Sequence, residues 1–65
     1  MKKPCSCGSI PEAFTRESNR YRGRYESYII CTNCAQCSAM GLSRYKQVAE
    51  ERAWVLWDKG YRYKR

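Results

Sequence analysis

The sequence contains no histidine among its 65 residues, and this absence excludes several kinds of chemistry. A cysteine nucleophile usually takes its activating base from histidine, and a catalytic zinc site usually has histidine or carboxylate ligands beside an open position. Glu50 and Glu51 are adjacent, so on a helix they point about 100° apart and cannot flank a substrate together. We therefore expect a protein that is not an enzyme and has no small-molecule substrate.

The sequence also lacks a long apolar run. Met1-Lys2-Lys3 begins like a signal peptide, but Pro4 and Cys5 follow it directly. We therefore expect no export or membrane segment, and a reducing cytoplasm suits the cysteines. A chain of this length forms one domain at most. Such a domain buries too little surface to be comfortably stable without a metal, disulfides or a partner.

Cysteine is the residue type that is over-represented, with five in this short chain. The five fall into two clusters, PCSCG at positions 4–8 and CTNCAQC at positions 31–37. Their odd number and the absence of an export signal argue against disulfides. Two chelating turns from distant parts of a chain are what four thiolates need to surround one zinc ion. The pattern therefore predicts a zinc ribbon.

The spacing within each cluster indicates which cysteines bind the metal. Cys31 and Cys34 have the CxxC spacing, in which a tight turn directs both thiolates inward. The Cys5–Cys7 pair is one residue shorter and cannot form the usual four-residue knuckle. Our first ligand set is Cys5, Cys7, Cys31 and Cys34, and the alternative replaces Cys7 or Cys34 with Cys37. One structural zinc ion bound in this way contributes on the order of 10 kcal/mol to folding.

Alternating apolar and polar residues predict an antiparallel β-hairpin between the two clusters. Its expected parts are a strand over 10–16, a loop over 17–23 and a strand over 24–30. Pro11 restricts the first strand to a sheet edge, because proline cannot donate to the ladder. A third short strand over 38–42 has weaker support. The expected core residues are Ile10, Phe14, Ile29, Ile30 and Leu56.

A helix is predicted from Arg44 to Lys59, with Ser43 as its N-cap and Gly60 as its stop. The face that should cover the ribbon contains Tyr45, Ala49, Ala53, Leu56 and Trp57, with Val48 at its margin. Trp54 lies outside this face, so we expect it to be partly exposed and able to anchor a partner. The fold class is thus a small α+β zinc-bound domain over 1–65: a zinc ribbon with a C-terminal helix packed on it, a basic arm at 1–3 and a mobile basic tail at 61–65.

The formal charge of +7 favours an anionic partner such as nucleic acid. Arg20, Tyr21, Arg22 and Arg24 are concentrated in the hairpin loop, where arginines could pair with phosphates and tyrosines could stack on bases. We expect weak nucleic-acid binding through this loop. The alternative is a solvated turn whose arginines keep a small protein soluble.

Three segments match the motifs of a known family: KPCSCGS at 3–9, YIICTNC at 28–34 and AWVLWDK at 53–59. The chain resembles the restriction alleviation (Lar-like) zinc-ribbon family of bacteriophages and prophages over nearly its full length. Members open with PCxxCG, run a β-hairpin into CxxC and close with a helix ending in AxxxWNR. The chain departs from this pattern by the residue missing between Cys5 and Cys7 and by the additional Cys37.

The resemblance implies a function as well as a fold. It implies an anti-defence protein of the host bacterial cytoplasm that modulates a type I restriction–modification system by binding a host defence complex, and it brings no catalytic residues. An exposed Trp54 would serve such binding. Two alternatives stay open, a nucleic-acid-binding zinc ribbon and an inhibitor of another host complex, such as a CRISPR effector or the transcription machinery.

Overall fold

The computed structural model describes residues 3–64, in which an antiparallel five-stranded sheet is packed against one α-helix. The elements in chain order are β1 (Glu12–Glu17), β2 (Tyr25–Ile30), β3 (Gln36–Ser38), β4 (Gly41–Ser43), α1 (Lys46–Asp58) and β5 (Arg62–Lys64). The expected small α+β domain is confirmed at this level. Met1 and Lys2, the first part of the expected basic arm, lie outside the described residues, as does Arg65.

Strand β2 is the centre of the sheet. Its YESYII sequence is rich in the aromatic and β-branched residues that favour strands. β1 pairs with it along its whole length, and the predicted hairpin is confirmed. On its other side, β3 pairs at Ile30 and β4 pairs at Tyr25–Ser27. The single strand expected over 38–42 is therefore two short strands that pair with opposite ends of β2.

The side chains that the hairpin buries differ from those that we expect from the sequence. Ile29 is fully buried and pairs with Ala13, whereas Phe14 pairs with Tyr28 on the opposite face of the sheet. Phe14 is 49% exposed, and Ile10, which precedes β1, is 84% exposed. Placing Ile10 and Phe14 in the core was therefore wrong. The helix packs on the Ile29 face, and its tryptophans supply the apolar area that we had assigned to Ile10 and Phe14.

The helix begins later than predicted, at Lys46, with Tyr45 in the N-cap position. Ser43 does not cap it, because residues 41–43 pair with β2 and Ser43 is buried in that strand. The predicted stop at Gly60 is confirmed. Gly60 has φ 92°, its N–H donates to Trp57 O, and the next N–H donates to Leu56 O, which is the Schellman pattern that satisfies the last carbonyls of a helix.

The buried stripe of α1 is rotated relative to the predicted one. It consists of Ala49, Ala53, Trp54 and Trp57. Trp54 is only 8% exposed, whereas Tyr45, which precedes the helix, is 69% exposed. The expectation that Trp54 is partly exposed was therefore wrong. Trp54 lies beside Trp57 on the helix surface, since residues three apart are neighbours, and both tryptophans reach the same core.

Gly41 permits a close approach of the helix to β4. A Cβ atom at Gly41 would lie 2.6 Å from the backbone N of Ala53 and would also overlap the carbonyl O of Ala49. The absence of a side chain lets the helix backbone lie directly on β4. Trp54 and Trp57 are then close enough to the sheet to pack with Ile29.

The residues after the helix form a strand, contrary to the expectation of a mobile tail. β5 pairs with β3, with Cys37 opposite Tyr63. The Arg62 guanidinium lies 4.1 Å from the centre of the Trp57 ring, and its Nε donates to Trp57 O at 3.0 Å. At the other end of the chain, Lys3 O accepts a hydrogen bond of 3.0 Å from Trp57 Nε1. Trp57 therefore connects both ends of the described chain.

Candidate metal centre

The first cysteine turn is closed by backbone hydrogen bonds. The N–H of Gly8 donates to Cys5 O, and the N–H of Cys5 donates to Ser9 O, each at 2.9 Å. Gly8 has φ 92°, in the left-handed region that favours glycine. This turn brings Cys5 and Cys7 to the same side although only one residue separates them, and the missing residue therefore does not prevent a two-cysteine turn.

The second turn follows β2 directly. The N–H of Ala35 donates to Cys31 O, and the N–H of Cys31 donates to Gln36 O, each at 2.9 Å. Ala35 has φ 62°, which is unfavourable for a residue with a Cβ. Because β1 and β2 form an antiparallel hairpin, the second turn lies at the same end of the sheet as the first turn.

The sulfur atoms of Cys5, Cys7, Cys31 and Cys34 converge. All four lie within 4.8 Å of one another, and none of them forms a disulfide. The Cys5–Cys34 sulfur separation is 3.2 Å and the Cys7–Cys31 separation is 3.5 Å. Zinc–sulfur bonds of about 2.3 Å in a regular tetrahedron place the sulfurs about 3.8 Å apart. The observed cluster has the dimensions of such a site, so the four cysteines could hold one metal ion.

The cysteine cluster is part of the hydrophobic core. Cys5 and Cys31 are buried among Ile29, Trp54 and Trp57, and Cys34 packs against them. Cys7 is exposed at the surface. Because the core residues of the helix contact the cysteine turns directly, anything that fixes the sulfurs also stabilises the packing of the helix.

The pKa values of Cys5, Cys7 and Cys34 are shifted in different directions. A hydrogen bond from the Asn33 side chain lowers the pKa of Cys7 to about 5. A backbone hydrogen bond at Cys7 lowers the pKa of Cys5. The neighbouring Cys5 sulfur, by contrast, raises the pKa of Cys34 to about 12. Four thiolates this close repel one another, and a divalent cation among them would offset that repulsion.

The fifth cysteine lies outside the cluster. Cys37 is buried in β3, opposite Ile30 of β2, and its thiol lies 3.4 Å from Ser38 O, to which it donates. The structure therefore brings together our first ligand set and not the alternatives that contain Cys37.

The predicted nucleic-acid-binding residues, Arg20, Tyr21, Arg22 and Arg24, are all exposed in the hairpin loop. Ser18 organises this loop, since its hydroxyl accepts the N–H of Tyr21 at 3.1 Å and its own N–H donates to Arg24 O. Within residues 3–64, none of the three arginines forms an ion pair. The loop lies at the opposite end of the hairpin from the cysteines. Trp54 does not join these residues, because it lies in the core.

Two surface grooves were not predicted from the sequence. One of about 560 Å³ lies between α1 and β4, and its apolar lining residues are Met40, Leu42, Val48, Val55 and Leu56. Another of about 450 Å³ lies on the opposite face of the sheet, at Phe14, Tyr28 and Ile30. The second groove could have been found by aligning the two predicted strands, because that register makes Phe14 and Tyr28 cross-strand neighbours.

Over the part of the chain that the structure describes, no helix has the length and apolar character needed to cross a membrane. No protein-family model, curated protein or solved structure matches the chain.

Proposed function

We propose that Cys5, Cys7, Cys31 and Cys34 bind one zinc ion, which makes the domain a zinc ribbon. The convergence of their sulfurs within 4.8 Å supports this proposal. Four thiolates are a donor set that zinc prefers, and an all-cysteine tetrahedral site is usually closed to substrate. The ion is structural, since a domain of this size needs additional stabilisation and the ligands are continuous with the core.

Elemental analysis and single serine variants test the zinc site. The folded protein should contain one zinc per chain, and a chelator should unfold it. Replacing Cys31 or Cys34 by serine should remove the zinc and unfold the domain. Cys37→Ser is the matched control, because Cys37 is buried like Cys31 but lies outside the cluster. Folded protein without stoichiometric metal would contradict the proposal.

We further propose that the domain is an anti-defence protein that modulates a host restriction–modification system by binding a host protein complex. The segments that match motifs of the resembled family support this proposal by their positions in the structure. The cysteine turns converge, and Trp57 of the closing motif is fully buried at the centre of the core. The burial of Trp54 removes it as an anchor for the host protein.

The groove between α1 and β4 is the surface best suited to a protein partner. Val55 is 47% exposed within an apolar lining, and Glu51 and Arg52 supply charges of both signs at the same groove. An apolar centre with polar groups around it is the usual arrangement of a protein interface. A host protein would therefore contact Val55 and its apolar neighbours in this groove.

An assay of restriction in cells tests the anti-defence function. Expression of the wild-type protein should raise the plating efficiency of unmodified phage on a host with a type I restriction system. Val55→Asp should abolish this effect while leaving zinc content and melting temperature close to wild type. Tyr61→Asp is the control, since Tyr61 is 54% exposed and lies outside the groove. No protection by folded, zinc-bound wild-type protein would contradict the proposal, and co-purification would show whether a different host complex is bound.

Nucleic-acid binding is a second candidate function, favoured by the three loop arginines, which form no ion pair with any residue that the structure describes. Such binding would be weak and would decrease as salt increases, because counterion release supplies most of its free energy. Replacing Arg20, Arg22 and Arg24 together by alanine should reduce both the affinity and its dependence on salt.

The control for this triple variant removes the same charge elsewhere. Lys3, Arg52 and Lys59 are also exposed, and none of them lines the recess formed by Gly23 and Arg24 of the loop. Their combined replacement by alanine should affect nucleic-acid affinity less than the loop variant does. Equal losses would mean that only net charge matters, and unchanged binding in the loop variant would mean that the loop is a solvated turn.

A further inference from the structure

The sheet face that α1 leaves uncovered presents two aromatic rings side by side. Phe14 of β1 and Tyr28 of β2 are cross-strand partners. Phe14 is 49% exposed and Tyr28 is half-buried. Together with Ile30 and Cys37 they line the groove of about 450 Å³, which we call the sheet-face groove. Aromatic rings on an open sheet are a surface on which planar groups can stack.

One end of this groove becomes basic. A second recess of about 260 Å³ shares Arg16 and Tyr28 with the sheet-face groove and extends to Asn19 and Arg20. The charge of Arg16 is offset by Glu26, whose Oε1 lies 2.6 Å from Arg16 Nε. Arg20 has no carboxylate partner within the described residues, and the other loop arginines follow it. The groove therefore leads from an apolar aromatic surface to an uncompensated positive charge.

We infer that the sheet-face groove binds single-stranded nucleic acid, with neighbouring bases stacked on Phe14 and Tyr28 and the backbone phosphate beside Arg20. Stacking platforms combined with a basic path for the backbone are the general means of binding single strands, and arginine pairs well with phosphate. The inference rests on the second candidate function, nucleic-acid binding, and assigns base stacking to Phe14 and Tyr28 of the sheet in place of Tyr21 of the loop.

The surroundings of the groove favour a single strand over a duplex or a protein. Bases inside a duplex are stacked on each other, so their faces cannot reach Phe14 and Tyr28. A protein partner is better matched by the groove between α1 and β4, where Glu51 and Arg52 balance each other. At the sheet-face groove, the uncompensated charge is positive, which complements phosphate.

Fluorescence anisotropy with a labelled oligothymidylate of roughly 12 nucleotides tests the inference. Phe14→Leu and Tyr28→Leu keep apolar bulk but remove the ring, and each should weaken binding about tenfold. Tyr45→Leu is the control, because Tyr45 is 69% exposed and precedes the helix, away from the sheet-face groove. It should bind like the wild type, and a duplex of equal length should bind more weakly than the single strand. Zinc content and melting temperature confirm that each variant is folded.

The possible results separate the inference from the functions on which it builds. If the loop arginine variant loses binding but Phe14→Leu and Tyr28→Leu do not, the protein binds nucleic acid and the stacking inference is wrong. Absence of binding to any oligonucleotide overturns both, without affecting the zinc site or the anti-defence proposal. If Phe14→Leu instead disrupts capture of a host protein, the face is a protein interface and the inference is also overturned.

Discussion

Replacement of Gly41 by alanine provides the most direct test of how the helix packs on the sheet. The added Cβ would lie 2.6 Å from Ala53 N, whereas ordinary contacts begin at 3.4 Å. The obstructing atoms belong to the helix backbone, so no side-chain rotation can relieve the overlap and the helix must move by most of an ångström. Overpacking of this kind costs about 1–3 kcal/mol, and we expect the upper end of that range here.

Such a loss is large for this domain. A stability of about 0.05–0.15 kcal/mol per residue corresponds to roughly 3–10 kcal/mol for the whole chain. A loss of about 3 kcal/mol would lower the melting temperature by roughly 12–24 °C. Denaturant unfolding at saturating zinc measures the change. Adding Ala53→Gly should not restore stability, because it removes a methyl group and leaves the obstructing backbone in place.

Gly23→Ala is the control for Gly41→Ala. A Cβ at Gly23 meets nothing within 4 Å, but the φ of 73° makes alanine unfavourable by about 1 kcal/mol. Gly41→Ala should therefore be clearly the more destabilising variant. If the two variants have the same stability, the close approach of the helix to β4 is not a constraint on the fold.

Two further predictions concern the core and the second cysteine turn. Trp54→Ala and Trp57→Ala should each cost about 3–5 kcal/mol and unfold the domain at ordinary temperature, whereas Val55→Ala, between them but 47% exposed, should cost less than about 1 kcal/mol in chemical denaturation. A wild-type melting temperature for Trp54→Ala would contradict its burial. Ala35→Gly should raise the free energy of unfolding by about 1 kcal/mol, because glycine adopts φ 62° without strain, and a lower melting temperature would refute this.

The arrangement of the metal centre could be predicted from the sequence only in part. The cysteine clusters and the hairpin between them were sufficient to predict that the two clusters converge, because an antiparallel hairpin returns the chain to its starting end. The spacing left Cys37 open as a replacement for Cys7 or Cys34. The turn around Cys5 and Cys7 was less predictable. Its closure depends on a positive φ at Gly8 and a hydrogen bond to Ser9, features that spacing alone does not indicate.

The errors at the helix and tail have a common cause. Apolar periodicity predicted a buried stripe through Tyr45 and Leu56, but the stripe is rotated toward Trp54. A helical-wheel projection of the helix could not include contacts with other elements, such as the close approach of Ala49 and Ala53 to Gly41. Likewise, residues 62–64 have no apolar pattern, and they form a strand because β3 offers a free edge beside Trp57.

The sequence alone determined the properties that depend on neighbouring residues: the CxxC turn at Cys31 and Cys34, the hairpin strands, the arginine-rich loop and the Gly60 stop of the helix. It also determined the basic charge. Only the tertiary structure decided which face of β1 is covered, that Trp54 is buried and that β5 completes the sheet. Those features depend on contacts between elements that are distant in sequence, such as the pairing of β5 with β3 and the close approach of α1 to Gly41, which no local pattern encodes.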